Sequence, residues 1–157
     1  MDQILYLLCG LPGSGKTVYA KKLEKEGVVR ITFDEELFKK FGKGFPPSLY
    51  EIYEAEIKNI LLEKIVTILK KGYSVVLDYG FWKKQERDFY RNFGKERNIN
   101  IKTIFFKIPP RISKERIMER NKTSTDNDHY ISIRLFNKFI KEFEPPVNEE
   151  NTEFVLK

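Results

Sequence analysis

Apolar and polar positions follow two rhythms along this chain. Short runs rich in β-branched, aromatic and leucine side chains occur at Ile4 to Cys9, Val28 to Phe33, Tyr73 to Asp78, Ile101 to Ile108 and Phe154 to Leu156, each the length of a strand. Between them the period lengthens. From about Ser48 to Lys71, the residues Ile57, Ile60, Leu61, Ile65, Ile68 and Leu69 fall three and four apart, the spacing of one helical face, and Gly72 ends the run. A second helix is predicted over about Lys83 to Arg97. A third carries Leu135, Phe136, Phe139, Ile140 and Phe143 on one side and stops at Glu144, before Pro145 and Pro146. Strands that alternate with helices predict an α/β fold, a parallel sheet covered on both faces.

Size narrows this further. The 157 residues suit one well-filled core, so a single domain over residues 1–157 is expected. No apolar run approaches the roughly 20 residues that cross a bilayer, and no basic stretch with a cleavage site opens the chain, so a soluble, cytoplasmic protein without membrane partners is expected. The single cysteine, Cys9, lies inside the first apolar run and reads as a small buried hydrophobe, because the lone His129 is far away and no partner motif accompanies it. GKGFPP (residues 42–47) and NKTSTDND (residues 121–128) are loops rich in turn formers. The formal charge of +6 is compatible with an anionic ligand but is spread along the chain, as on many solvated surfaces.

The chemistry enters at GLPGSGKT, which fits G-x-x-x-x-G-K-[ST], follows a predicted strand and precedes an amphipathic segment with Val18, Ala20 and Leu23. In such a loop the backbone of Gly10, Leu11, Pro12, Gly13, Ser14 and Gly15 curls so that N–H groups point inward. The following helix adds its positive end, Lys16 reaches the terminal phosphates and the Thr17 hydroxyl can hold Mg²⁺. The expected ligand is ATP with Mg²⁺.

Ligands of parallel sheets lie beyond the C-terminal ends of the strands, and two carboxylates fall at such ends. Asp34 closes VVRITF and could take a proton from an attacking hydroxyl, or else cap the helix EELFKKF, for which Thr32 with Glu35 offers a competing capping box. Asp78 ends YSVVLDY and could hold Mg²⁺ through water or grip the substrate hydroxyl. Glu35 and Glu36 read as favouring the positive end of their helix. Phosphoryl transfer also needs cations beyond the loop lysine. In RISKERIMERN, Arg116 and Arg120 are four apart on one face of a short helix, suited to a lid over residues 111–128, although Glu115 and Glu119 offer a mixed-charge surface instead. A second basic row, Lys84, Arg87, Arg91 and Lys95, could bind an anionic acceptor, with Arg87 as its substrate contact, or be a solvated stripe.

Taken together, GLPGSGKT, the Asp of FDEEL, LDYGFW followed by QERDFYR, ERIMERN and the closing EFEPPVNEE resemble the small bacterial P-loop kinases. These are relatives of phage polynucleotide kinase, zeta toxins and chloramphenicol phosphotransferase. The resemblance spans nearly the whole chain. It implies a three-layer P-loop fold with a five-stranded sheet of order 2-3-1-4-5. It also implies Asp34 as general base, Asp78 near the acceptor, Arg116 and Arg120 as lid arginines, and residues 144–149 beside the adenine. One departure concerns the acceptor. Phage polynucleotide kinase has an arginine shortly after the base aspartate that grips a nucleic-acid phosphate, whereas Leu37, Phe38 and Lys39 follow here.

The expected function is transfer of the γ-phosphoryl group of ATP to a hydroxyl of a small-molecule or nucleic-acid acceptor that the sequence does not identify, with Lys16, Asp34, Arg116 and Arg120 as catalytic residues and Asp34, Asp78 and Arg87 on the acceptor side. A polynucleotide or tRNA 5'-hydroxyl is the alternative acceptor, and a nucleotide-hydrolysing switch the alternative class. A GTPase would want N-K-x-D. Neither Asn121-Lys122 nor Asn137-Lys138 is followed by Asp at that place. The sequence carries no signal for an oligomeric state.

Overall fold

The computed structural model describes residues 2–123 and 130–156. Five strands, β1 (Ile4–Cys9), β2 (Val29–Ile31), β3 (Val75–Gly80), β4 (Asn100–Lys107) and β5 (Thr152–Leu156), form one sheet of order β2-β3-β1-β4-β5. Every neighbouring pair is parallel. The helices are α1 (Lys16–Lys25), α2 (Phe33–Phe41), α3 (Tyr50–Lys70), α4 (Lys84–Arg97), α5 (Pro110–Thr123) and α6 (Ile133–Glu142), and a 3₁₀ turn at Pro47–Leu49 leads into α3. Strand order and parallel direction therefore agree with the sequence expectation. No helix among the described residues is long and apolar enough to cross a membrane.

Both faces of the sheet are covered, and the period-two pattern shows how. Leu5, Leu7 and Cys9 of β1 point to one face, where Ile57, Leu61, Ile65 and Leu69 of α3 and Tyr90 and Phe93 of α4 meet them. Leu8, one step out of phase, joins Val76, Ile104 and Phe106 on the other face, where Ala20 of α1 closes over them. A third cluster, Leu11, Ile117 and Phe136, ties the loop after β1 to α5 and α6. Burying each such leucine or isoleucine contributes about 1.5–3 kcal/mol.

Several boundaries move, with consequences for the site. The second strand ends at Ile31 and α2 begins at Phe33, so Asp34 lies in the first turn of a helix and does not close a strand. The third strand continues past Asp78 to Gly80. The helix bearing RISKERIMERN is not short: α5 has 14 residues. Val18, expected on an apolar face, is 76% exposed, while Ala20 is fully buried.

Candidate active site

The loop between β1 and α1 is held in shape from three directions. Two of its glycines have left-handed backbone, Gly13 at φ 79° and Gly15, the N-cap of α1, at φ 101°. A Cβ on Gly13 would come within 2.7 Å of the Ser113 carbonyl, so α5 can lie directly against the loop only because residue 13 has no side chain. Ser14 N–H donates to the Leu11 carbonyl at 3.2 Å and Gly10 N–H to the Gly80 carbonyl of β3 at 3.1 Å. The indole N–H of Trp82 donates to the Gly10 carbonyl at 3.0 Å.

Lys16 points back into this ring, its Nζ donating to the Gly10 carbonyl at 2.9 Å and the Leu11 carbonyl at 2.8 Å. Burial lowers its pKa to about 8, against the opposing pull of Asp78 and Cys9. Thr17, the next residue, donates its hydroxyl to Asp78 Oδ2 at 2.9 Å. The two side chains come from the start of α1 and from β3, and their contact unites the loop with the carboxylate that the sequence placed near it. A hydroxyl and a carboxylate oxygen side by side match the donor set that Mg²⁺ accepts when phosphates supply further ligands. Arg30 of β2 approaches the same Oδ2 at 3.6 Å and Glu35 at 3.7 Å.

A cavity of about 710 Å³ opens over the loop, lined by residues 12–17 together with Tyr19, Lys22, Phe106, Ile108, Arg116, Arg120 and Val155. Both α5 arginines face it. Arg116 Nη1 donates to the Gly13 carbonyl at 3.2 Å, and burial lowers the pKa of Arg120. The glutamates of the same helix are occupied elsewhere, Glu115 with Arg111 at 3.4 Å and Glu119 with Lys122 at 3.5 Å. The lid expected over residues 111–128 is helical as far as Thr123, and Asn121 anchors its far end by exchanging hydrogen bonds with Ile131 at 2.7 and 3.3 Å. Residues 124–128, and His129, lie outside the described residues. A second cavity, of about 930 Å³, runs along α6 between Ser132 and Lys141 and touches none of the candidate catalytic residues.

Asp34 stands outside the 710 Å³ cavity. It is not an N-cap. Thr32 holds that position, and its side chain makes no capping bond, so the expected Thr32–Glu35 box does not form and Glu35 turns to Arg30 instead. The Asp34 carboxylate makes no hydrogen bond or ion pair to another described residue, and its pKa is raised by burial first and then by Glu54 of α3. Cys9, fully buried, has its thiol pushed up to about 12 by burial, the opposite of an activated nucleophile.

Two expectations require correction. Arg87 is not an acceptor contact: its side chain is fully buried and donates to both carboxylate oxygens of Glu149 at 2.9 Å, to the Phe81 carbonyl at 2.7 Å and to the Glu144 carbonyl at 2.7 Å. The rest of the basic row is likewise engaged with carboxylates, Arg91 with Glu149 at 2.6 Å, Lys84 with Asp88 at 2.7 Å and Lys95 with Glu150 at 3.0 Å. Residues 144–149 are not among those that line the loop cavity. Because β5 runs parallel to β4, the chain must return from the C-terminal to the N-terminal edge of the sheet before β5 begins, and this segment is that return. The sequence reading missed Arg30, Trp82, Tyr19 and Lys22. A lone arginine in the apolar run VVRITF and the single tryptophan of the chain were the available signals.

Known proteins share the family and the fold of this chain. The chain is 27% identical over 123 residues to the L-seryl-tRNA(Sec) kinase of Methanococcus maripaludis, covering 74% of this chain and 46% of that protein. It thus spans about half the length of its curated relative. A candidate kinase of Chloroflexus aurantiacus superposes with a TM-score of 0.74 at 17% identity, covering 99% of this chain and 89% of that one. A chain of the Pnkp1/Rnl/Hen1 RNA repair complex gives 0.70 at 19% identity, over 89% and 43%. A gluconokinase of Sinorhizobium meliloti gives 0.59 at 18%, over 98% and 81%. These likenesses establish the P-loop kinase fold. The family model described as AAA domain matches residues 5–146, and the chain belongs to that family.

Proposed function

We propose that this chain is an ATP-dependent kinase that transfers the γ-phosphoryl group to a hydroxyl of its acceptor. The observation that carries the reading is the convergence on one loop of Lys16, the Thr17–Asp78 pair and the α5 arginines Arg116 and Arg120. Such a constellation surrounds a polyphosphate with N–H donors and cations placed where transferred charge accumulates. Kinase names among the relative and the structural neighbours support the same class.

In this reading the β- and γ-phosphates take Lys16 from the loop carbonyls, and Arg116 and Arg120 meet the equatorial oxygens of the phosphoryl group in flight. Thr17 and Asp78 would hold Mg²⁺, which would supply charge neutralisation for the polyphosphate. Asp34 is the proton acceptor for the attacking hydroxyl. Its carboxylate is uncommitted among the described residues and its pKa is raised, which makes it a stronger base than an ordinary aspartate. Asp78 is already engaged by Thr17 and Arg30, which suits it to holding and not to proton transfer. As the acceptor oxygen bonds to phosphorus, its proton passes to Asp34 and the bond from phosphorus to the β,γ-bridging oxygen breaks, releasing ADP.

The test is transfer of labelled phosphate from ATP to sugars, nucleosides, aminoglycosides, seryl-tRNA and 5'-hydroxyl oligonucleotides, with Lys16→Met as control. A labelled acceptor with the native chain and none with the control is the expected result. Hydrolysis of ATP with every acceptor left unlabelled would favour the nucleotide-hydrolysing class. The tRNA arm is included because the curated relative is named for a seryl-tRNA substrate.

A further inference from the structure

We infer that Trp82 is a positioning residue for the phosphate-binding lysine, keeping the Gly10 carbonyl satisfied so that Lys16 can leave it for a phosphate. The inference rests on the proposed nucleotide site and adds to it a residue outside the loop motif. Two carbonyls hold Lys16, and each has a second donor. The Leu11 carbonyl also accepts Ser14 N–H at 3.2 Å, a bond internal to the loop. The Gly10 carbonyl also accepts the Trp82 indole N–H at 3.0 Å, from beyond the end of β3. When Lys16 turns toward a phosphate, neither oxygen is orphaned. An unpaired carbonyl in this enclosed place would cost the lysine much of what the phosphate offers.

The surroundings hold the indole on this one acceptor. Trp82 packs against Phe139 of α6 with ring centroids 4.3 Å apart and the rings tilted by 48°, and its carbonyl accepts Glu144 N–H at 2.8 Å. Gly80 has φ 94°, and a Cβ there would sit 3.0 Å from the indole nitrogen, so residue 80 must be small for the ring to reach the loop. Trp82 is neutral and acts on Lys16 only through the shared carbonyl.

The chain has a single tryptophan, so replacing it by benzothienylalanine changes this position alone, keeping the indole shape while sulfur replaces the N–H. ADP binding is followed by calorimetry at pH 7 in the native background and in Lys16→Met, with thermal unfolding measured in parallel. The expected result is roughly three- to tenfold weaker binding in the native background, the loss of one hydrogen bond, and no further weakening when residue 16 is already Met, because the shared carbonyl then has no lysine to release. Unchanged affinity in the native background would overturn the inference. So would the same weakening in both backgrounds, the signature of a purely structural ring. Failure of the native chain to bind ADP would overturn the nucleotide site, and the role of Trp82 with it.

Discussion

At the scale of the residue, Asp34 and Lys16 carry opposite perturbations with one origin, since burial penalises the charged form of each. Raised above the usual carboxylate range, Asp34 is ionised in the folded chain only at the cost of some stability. The unfolded chain loses this proton first, so the group's contribution falls as pH rises through the window between its ordinary and its raised value. Asp34→Asn should therefore cut phosphoryl transfer by roughly 10² to 10⁴ while ATP affinity stays within a few-fold and the melting temperature at neutral pH is unchanged or higher. Calorimetric melts at acid and neutral pH, beside initial rates, check this, and an unchanged rate would remove Asp34 from the chemistry. For Lys16 the sign runs the other way. Between about 8 and the ordinary 10.5 the unfolded chain holds the extra proton, so this group's contribution to stability rises with pH. Nucleotide needs the charged lysine, so ATP affinity should be level below about pH 8 and decline above it, with Lys16→Met abolishing both the decline and transfer. GLPGSGKT announced Lys16 and Thr17 in the sequence because the motif is contiguous. Arg30 escaped notice because its role depends on a carboxylate 48 positions later, on the neighbouring strand.

At the scale of the element, α5 is the helix proposed as a lid. It lies against Gly13 through the backbone of Ser113 and turns Arg116 and Arg120 toward the loop cavity. Two like charges one turn apart repel by a few tenths of a kcal/mol, and an anion between them reverses that sign. Amide exchange over residues 110–123 should therefore slow when ATP and Mg²⁺ are added. Arg120→Ala should reduce the transfer rate more than ATP affinity, since the charge it meets grows in the transition state. Exchange indifferent to nucleotide, with neither constant altered, would return α5 to an ordinary surface helix. The periodicity predicted α3 closely because Ile57, Leu61, Ile65 and Leu69 all face the core. It misjudged the start of α2 because Thr32 and Phe33 suit a strand by propensity, and only their place beyond the end of β2 makes them a helix entry.

At the scale of the whole molecule, a buried trio of Arg87, Arg91 and Glu149 fastens α4 to the segment that leads into β5. Burial alone would raise the pKa of Glu149, but hydrogen bonds from Arg87 and Arg91 overcome it and hold the carboxyl below its usual range. Its stabilisation is therefore present above the ordinary glutamate value and is lost as pH falls through the lowered one. Glu149→Ala leaves two guanidinium groups buried without their carboxylate and should cost about 3–5 kcal/mol in denaturant unfolding at pH 7. A loss below about 1 kcal/mol, the range of an exposed pair, would show that the trio holds nothing in place. Arg87 marks the boundary between what the chain states locally and what its folding decides. The alternating pattern, the loop motif and the spacing of the α5 arginines determined the parallel sheet, the glycine-rich loop between β1 and α1 and the helix that lies against it, because strand, helix and loop propensities act between residues close in sequence. The partners of each charge were decided only in three dimensions. Arg87 reads in sequence as one more lysine-like position on a basic stripe, and becomes a core residue because the return to β5 places Glu149, 62 positions away, against it. Asp78 reads in sequence as a strand-end carboxylate open to Mg²⁺ or to an acceptor, and gains Thr17, 61 positions earlier, as its partner because the parallel pairing of β1 with β3 brings the two together. Coulomb and hydrogen-bond energies depend on distances that the fold creates, so the sequence held the charges while the tertiary structure chose their partners.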